Sequence, residues 1–301
     1  MAPRSAPTGG EESSFRFSSF AKKRFWEGLA PHCAYPECHH NRGIWHRARR
    51  KGQTILLQGS RYCVGDCLER ALQHELQREP PAKKPVVSPH RIPLGLLLLS
   101  RRQVTGEQLR CALETQRKAG CGRIGEWLQF LGFVDEPQVA AALARQWSCP
   151  ILRREMGGNS PRVPHIPLTL LRSLVMYPID FAKSTGTLHM AFGDRVDYGV
   201  LYSMERMLGC RTEPCVALPS VLRRRLESLP EHREQDEIVF AHIEEMVETT
   251  RIVRSYATRL RASEIRLVRC GPHLWIRMFR PPHTPLDLVL GSPELGGALV
   301  P

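Results

Sequence analysis

The chain has no apolar run long enough to cross a bilayer. The longest, residues 92–99, has eight residues and includes Pro93 and Gly95, whereas a spanning helix takes roughly 20. Its first residues, MAPRSAPTGGEESS, lack the apolar core of a signal peptide. Together these absences set the expectation of a cytoplasmic protein with no membrane span. No Gly-Lys dipeptide occurs anywhere in the sequence. A phosphate-binding loop uses that lysine to reach the β- and γ-phosphates while its backbone N–H groups cradle them. This route to ATP hydrolysis is therefore closed. The patterns G-x-S-x-G and H-E-x-x-H are missing as well, and the twelve histidines are dispersed. The expectation is a protein that is not an enzyme.

Acidic side chains are also in short supply, 30 against 43 Lys and Arg, for a net charge of +13. Arginine dominates the basic set. That suits an anionic ligand such as a nucleotide, or nucleic acid, and the densest cluster is Arg47, Arg49, Arg50 and Lys51. A dispersed, solvated arginine-rich surface gives the same count, so charge alone does not choose. With 301 residues, 42% of them hydrophobic, the chain can build two or three domains with real cores.

Ten cysteines are present. Without an export signal, disulfides explain them poorly. Six are scattered and read as small buried hydrophobes. The other four form two pairs, Cys33-x4-Cys38 and Cys63-x3-Cys67, and four thiolates suffice for a closed tetrahedral zinc site. Cys67 falls in the first turn of a helix expected over residues 66–76, where the helix N-terminus favours a thiolate. Between the pairs, Ile44-Trp45 and Thr54-Ile55-Leu56-Leu57 read as a hairpin flanking Gly52. The arrangement resembles a treble-clef zinc finger. His39, His40 or His46 could replace one cysteine, and reduced cysteines in a small core are the alternative.

Punctuation along the chain gives the domain plan. Residues 1–24 read as a disordered tail, 25–78 as the four-cysteine zinc module, and 79–90, with four prolines, as a linker. Residues 91–229 follow as the central domain, and a second linker spans 229–235. A C-terminal module is expected over 236–290, with a helix over 236–261 leading into a hairpin, before a tail at 291–301. The fold class is α/β (α+β): a helical repeat pair plus a small α/β domain, with the zinc finger before it and an abbreviated α/β module after it.

The most specific signal is an internal repeat. Residues 93–116 align with 123–146 at a shift of thirty residues. Leu94-Gly95 falls on Ile124-Gly125, Leu98 on Leu128, Val104 on Val134, Leu109 on Val139, Leu113 on Leu143 and Gln116 on Gln146. Thr105 and Asp135 stand at matching helix starts with Gln108 and Gln138 three residues on, a capping-box arrangement. Each copy reads as a short helix, a turn and a second helix with its apolar residues at i, i+4. Packing accounts for the leucines. It does not by itself require the glycine or the terminal glutamine, which permit close backbone approach and hydrogen bonding to a base edge.

These residues resemble the paired motifs in the N-terminal domain of type II secretion and type IV pilus assembly ATPases. The family pattern runs Arg-Leu-Gly, two apolar positions, Gly, two more apolar positions, then Leu, Leu and Gln. The resemblance implies that both copies clasp cyclic di-GMP, as in the subgroup that binds it. The second copy matches through Arg123, Ile124, Gly125, Leu128, Gly132, Val139, Leu143 and Gln146. The first matches through Leu94, Gly95, Leu98, Leu109, Leu113 and Gln116, but has Pro93 for the arginine and Arg102 for the second glycine. Pro cannot stack on guanine or pair with phosphate as a guanidinium does; Arg91, two residues earlier, is a candidate substitute. The stretch from Ile166-Pro167 to Ile179 and the strand and turn from Thr187 to Asp194 resemble the strands that follow in the same domain.

Residues 251–279 are similar to the next module of those ATPases, with Ala262-Ser263-Glu264-Ile265-Arg266 and Ile276-Arg277 matching in type. The resemblance then implies a regulatory or adaptor protein without the motor, whose partners are secretion or pilus components, including an ATPase in trans, with zinc and a cyclic dinucleotide as cofactor and ligand. The alternative is a zinc-dependent nucleic-acid-binding regulator using the basic segment near Arg47.

Overall fold

The computed structural model describes residues 32–39, 54–79, 91–152, 163–229, 236–240 and 245–291. The expected tail at 1–24, most of both linkers, the tail after 291, Ile44-Trp45, His40, His46 and the basic cluster at Arg47, Arg49, Arg50 and Lys51 lie outside the described residues. Among the described residues no helix is long and apolar enough to cross a membrane.

The central domain begins with four helices, α2 (Leu94–Ser100), α3 (Gly106–Ala119), α4 (Ile124–Phe130) and α5 (Glu136–Gln146). Thr105 and Asp135 cap α3 and α5 reciprocally. Each side chain accepts from the glutamine backbone N–H three residues on, while the glutamine amide oxygen accepts from the cap's own N–H. This satisfies two otherwise orphaned donors per helix. The helices interleave: α3 packs on α4 and α2 on α5, over Leu98 and Leu128, both fully buried.

A three-stranded sheet follows, formed by β3 (Met176–Ala182), β4 (Thr187–Phe192) and β5 (Arg211–Val216). β3 runs antiparallel to β4 and β4 parallel to β5. Around it lie α6 (Leu168–Ser173), α7 (Tyr198–Leu208) and α8 (Pro219–Glu227). The Glu136 carboxylate at the start of α5 accepts from Ser220 N at 2.7 Å and Ser220 Oγ at 2.6 Å, tying the helical motif to α8.

The remaining strands form one six-stranded sheet in the order β2-β1-β7-β8-β9-β6. They are β1 (Thr54–Leu57), β2 (Ser60–Cys63), β6 (Glu237–Phe240), β7 (Glu264–Cys270), β8 (His273–Arg280) and β9 (His283–Leu290), with helices α1 (Asp66–Arg78) and α9 (Met246–Arg259). Side chains alternate along its strands. Ile265, Leu267, Ile276 and Leu288 share a core with Leu68, Leu72 and Val253 of α1 and α9. Val268, Cys270, Trp275 and Val289 face the other way, into the core of the central domain.

Three sequence expectations change here. The segment expected as a self-standing zinc module shares its core with the C-terminal module, because β1 pairs in parallel with β7 through Leu56–Glu264 and Leu57–Ile265. Its hairpin joins Thr54–Leu57 to Ser60–Cys63 rather than to Ile44-Trp45. Gln58 and Gly59, at φ 49° and 82°, supply the two left-handed residues that a tight hairpin turn needs. The helix expected over 236–261 is split, since Ile238-Val239-Phe240 is strand β6, parallel to β9, and α9 starts only at Met246. A β-branched pair with a free sheet edge to extend outweighs helical periodicity there.

Candidate functional site

Two constellations emerge. In the first, the Sγ atoms of Cys33, Cys38, Cys63 and Cys67 all lie within 4.8 Å of one another. Cys63 ends β2, and Cys67 sits in the first turn of α1. Cys38 Sγ and Cys63 Sγ are 3.8 Å apart, far beyond the roughly 2.05 Å of a disulfide. A tetrahedron with metal–sulfur bonds of about 2.3 Å has edges of about 3.8 Å, so the spacing fits a metal site made of four thiolates. The Cys63 backbone N–H donates to Cys33 Sγ at 3.3 Å. Burial pushes the Cys63 thiol up to about 12, with Cys33 and Cys38 pushing the same way, and Cys67 is raised by burial and the same neighbours. Thiols this crowded and this buried resist ionisation unless a cation lies among them.

The second constellation is a cavity of about 390 Å³ where the helical motif meets the β4–α7 turn. Pro93 and Leu94 open α2 on one side; Gly122, Arg123, Ile124 and Gly125 open α4 on the other. Gln116, Leu143, Gln146 and Trp147 form the wall between, and Arg91, Glu126, Asp194 and Arg195 ring the mouth. Residues at corresponding repeat positions thus meet in one space: Pro93 with Arg123, Leu94 with Ile124, Gln116 with Gln146.

The glutamines bind backbone. Gln116 Nε2 donates to Gly122 O at 2.9 Å and Gln146 Nε2 to Ile92 O at 2.8 Å, so each holds the residue preceding a first-motif position. Arg123 pairs with Asp194, and its backbone N–H donates to Glu126 Oε2 at 2.8 Å. Burial draws the Arg123 pKa down, Glu126 opposes this and Arg195 adds to it. Arg195 in turn pairs with Asp197 at 3.1 Å. Arg91 lies over the Trp147 ring, 3.5 Å from its centroid.

Of the residues expected at the ligand, Leu94, Gln116, Arg123, Ile124, Gly125, Leu143 and Gln146 line the cavity. Leu98, Leu128, Leu109 and Val139 lie beneath it in the core. Gly95 serves close helix crossing, because a Cβ there would stand 2.7 Å from Leu109 Cδ1. Leu113 is exposed and Gly132 sits in the turn after α4, both away from the cavity. Sequence reasoning missed Trp147, Asp194 and Arg195 as lining residues. Trp147 follows Gln146 directly, but Asp194 and Arg195 arrive from a turn beyond β4, which no local periodicity signals.

No protein-family profile matches the chain, and neither does any curated protein sequence. Among solved structures, the chain is similar to MshE with cdg at 28% identity, covering 46% of this chain and 98% of that one, with a TM-score of 0.40. It is also similar to the N-terminal domain of XpsE at 23% identity, covering 44% and 91% of the two chains, with a TM-score of 0.36. A second crystal form of that domain gives 0.31.

Proposed function

We propose that this protein is a non-catalytic regulator or adaptor of secretion or pilus machinery that binds cyclic di-GMP in the cavity between α2, α4, α5 and the β4–α7 turn. The observation that carries this reading is the convergence of both repeat copies on one space, with guanidiniums for phosphate and an indole face for a base. The volume lies within the few hundred to a thousand Å³ usual for small-ligand sites. Arg123 would engage a phosphate, Ile124, Gly125 and Leu143 would form the floor, and the amide oxygens of Gln116 and Gln146 would accept from base edges. Structural zinc on Cys33, Cys38, Cys63 and Cys67 would fix the hairpin and α1; four thiolates leave no open position for chemistry. The secretion or pilus components, an ATPase in trans among them, follow from the resemblance of the motifs in residues 93–146.

Titration calorimetry tests the binding. Wild type is expected to take up cyclic di-GMP, and Arg123→Ala to bind roughly ten- to a hundredfold more weakly, the scale of one charged hydrogen bond. An Arg123→Ala isotherm identical to wild type counts against the site.

A further inference from the structure

Three arginines ring the cavity, and they are not equivalent. Arg123 is paired with Asp194 and Arg195 with Asp197. Arg91 has no carboxylate partner among the described residues; it is held by aromatic rings, 3.5 Å from the Trp147 centroid and 5.6 Å from that of Tyr198. A guanidinium stacked by its face keeps its N–H donors in plane and directed outward, free to form a two-pronged bond with an anionic oxygen. The indole under it is fixed in turn: Tyr198 Oη donates to Trp147 O at 3.4 Å, and the two rings lie 6.1 Å apart. Trp147 Nε1 is buried with no hydrogen-bond partner among the described residues, a second donor at the same wall.

We infer that Arg91, stacked on Trp147, is the principal phosphate-binding cation of this cavity, displaced by two residues from the position where the repeat places Arg123 and where Pro93 now stands. The ligand class is a phosphate-bearing planar heterocycle, and the inference rests on the cyclic dinucleotide reading for its identity. An anion reaching Arg123 or Arg195 must displace a carboxylate; at Arg91 it displaces only water. Arg91 is therefore the residue on which affinity depends most. The two halves of the site are unlike: one is an open stacked guanidinium and the other a guanidinium already neutralised by Asp194.

The test is cyclic di-GMP titration of wild type, Arg91→Gln, Arg91→Lys and Arg123→Ala, each checked for an unchanged thermal midpoint. Glutamine keeps the stem over the indole without the charge, and lysine keeps the charge without the planar fork. Arg91→Gln is expected to weaken binding by roughly ten- to a hundredfold, at least as much as Arg123→Ala, with Arg91→Lys in between. If wild type binds and Arg91→Gln binds within about threefold of it, less than a tenth of the larger expected effect, the assignment of Arg91 is overturned while the dinucleotide reading stands. If wild type shows no binding, both are overturned.

Discussion

Arg102 and Gly132 occupy the same turn thirty residues apart, and both are left-handed, at φ 56° and 71°. A Cβ at Gly132 would meet nothing within 4 Å, so the difference between the copies is backbone strain alone. For a non-glycine residue that strain is about 1–2 kcal/mol. Part of it is offset by the extra freedom glycine gives the unfolded chain. Arg102→Gly is accordingly expected to stabilise the protein by about 0.5–1 kcal/mol, and Gly132→Arg to destabilise it by about 1–2 kcal/mol, both read from urea unfolding midpoints. At this scale the sequence was partly legible. Thr105 and Asp135 cap as their spacing indicates, because a capping box is local. The roles of Gly95 and the two glutamines were not, because a glycine that admits a ligand and one that admits Leu109 look alike in sequence. Whether an amide meets a base or Gly122 O depends on a fold the spacing does not contain.

Among the elements, the β1–β2 hairpin and α1 show how a local metal motif becomes part of a distant sheet. Leu56 N donates to Ser263 O at 3.0 Å and Gln58 N to Ile265 O at 3.1 Å, so whatever orders the hairpin orders an edge of β7. Glu69 of α1 reaches Arg254 of α9, and Arg206 of α7 pairs with Glu79 at 2.9 Å. The four cysteines are legible in sequence through their pairing. The parallel β1–β7 contact is not, since two hundred residues separate the strands and nothing in either records the other. The purified protein is expected to carry about one zinc per chain, a closed four-thiolate site. Cys63→Ser/Cys67→Ser should lose the metal and speed amide hydrogen exchange at Leu56 and Gln58, the coupling of metal and folding that such sites show. Full exchange protection at both amides in the metal-free variant contradicts this coupling.

At the scale of the whole molecule, a buried ion pair joins the C-terminal sheet to the central domain. Asp287, wholly buried, accepts from Trp275 Nε1 at 2.8 Å and from Arg277 at 2.8 and 2.7 Å. Arg277 also donates to His165 O at 2.7 Å, in the loop before α6. The Glu237 carboxylate of β6 accepts from Leu168 N and Thr169 N at the start of that helix. Burial would raise the Asp287 pKa, but hydrogen bonds from Arg277, His165 and Trp275 and the Arg277 charge outweigh it and hold the carboxyl below its ordinary range. A depressed folded pKa gives stability that is fully present above the unfolded value, about 3.9, and that disappears as pH falls through the folded one. Arg277→Met leaves a buried carboxylate unpaired and is expected to cost about 3–5 kcal/mol near neutral pH. The deficit should shrink once acid protonates Asp287, as urea unfolding at about pH 6 and about pH 3 will show, on either side of the carboxyl's ordinary value. An equal deficit at both values removes the ion pair from the account.

The central claim is that the cavity between the repeat pair and the β4–α7 turn holds cyclic di-GMP against Trp147. Intrinsic tryptophan fluorescence during a cyclic di-GMP titration tests it most directly, because Trp147 lines the cavity while Trp275 is buried in the sheet and Trp127 is turned toward Cys121, whose carbonyl accepts its N–H at 2.9 Å. The account predicts a saturable quench in wild type that is mostly lost in Trp147→Phe. A wild-type signal that stays flat to high ligand concentration, or a quench of equal depth in Trp147→Phe, contradicts it.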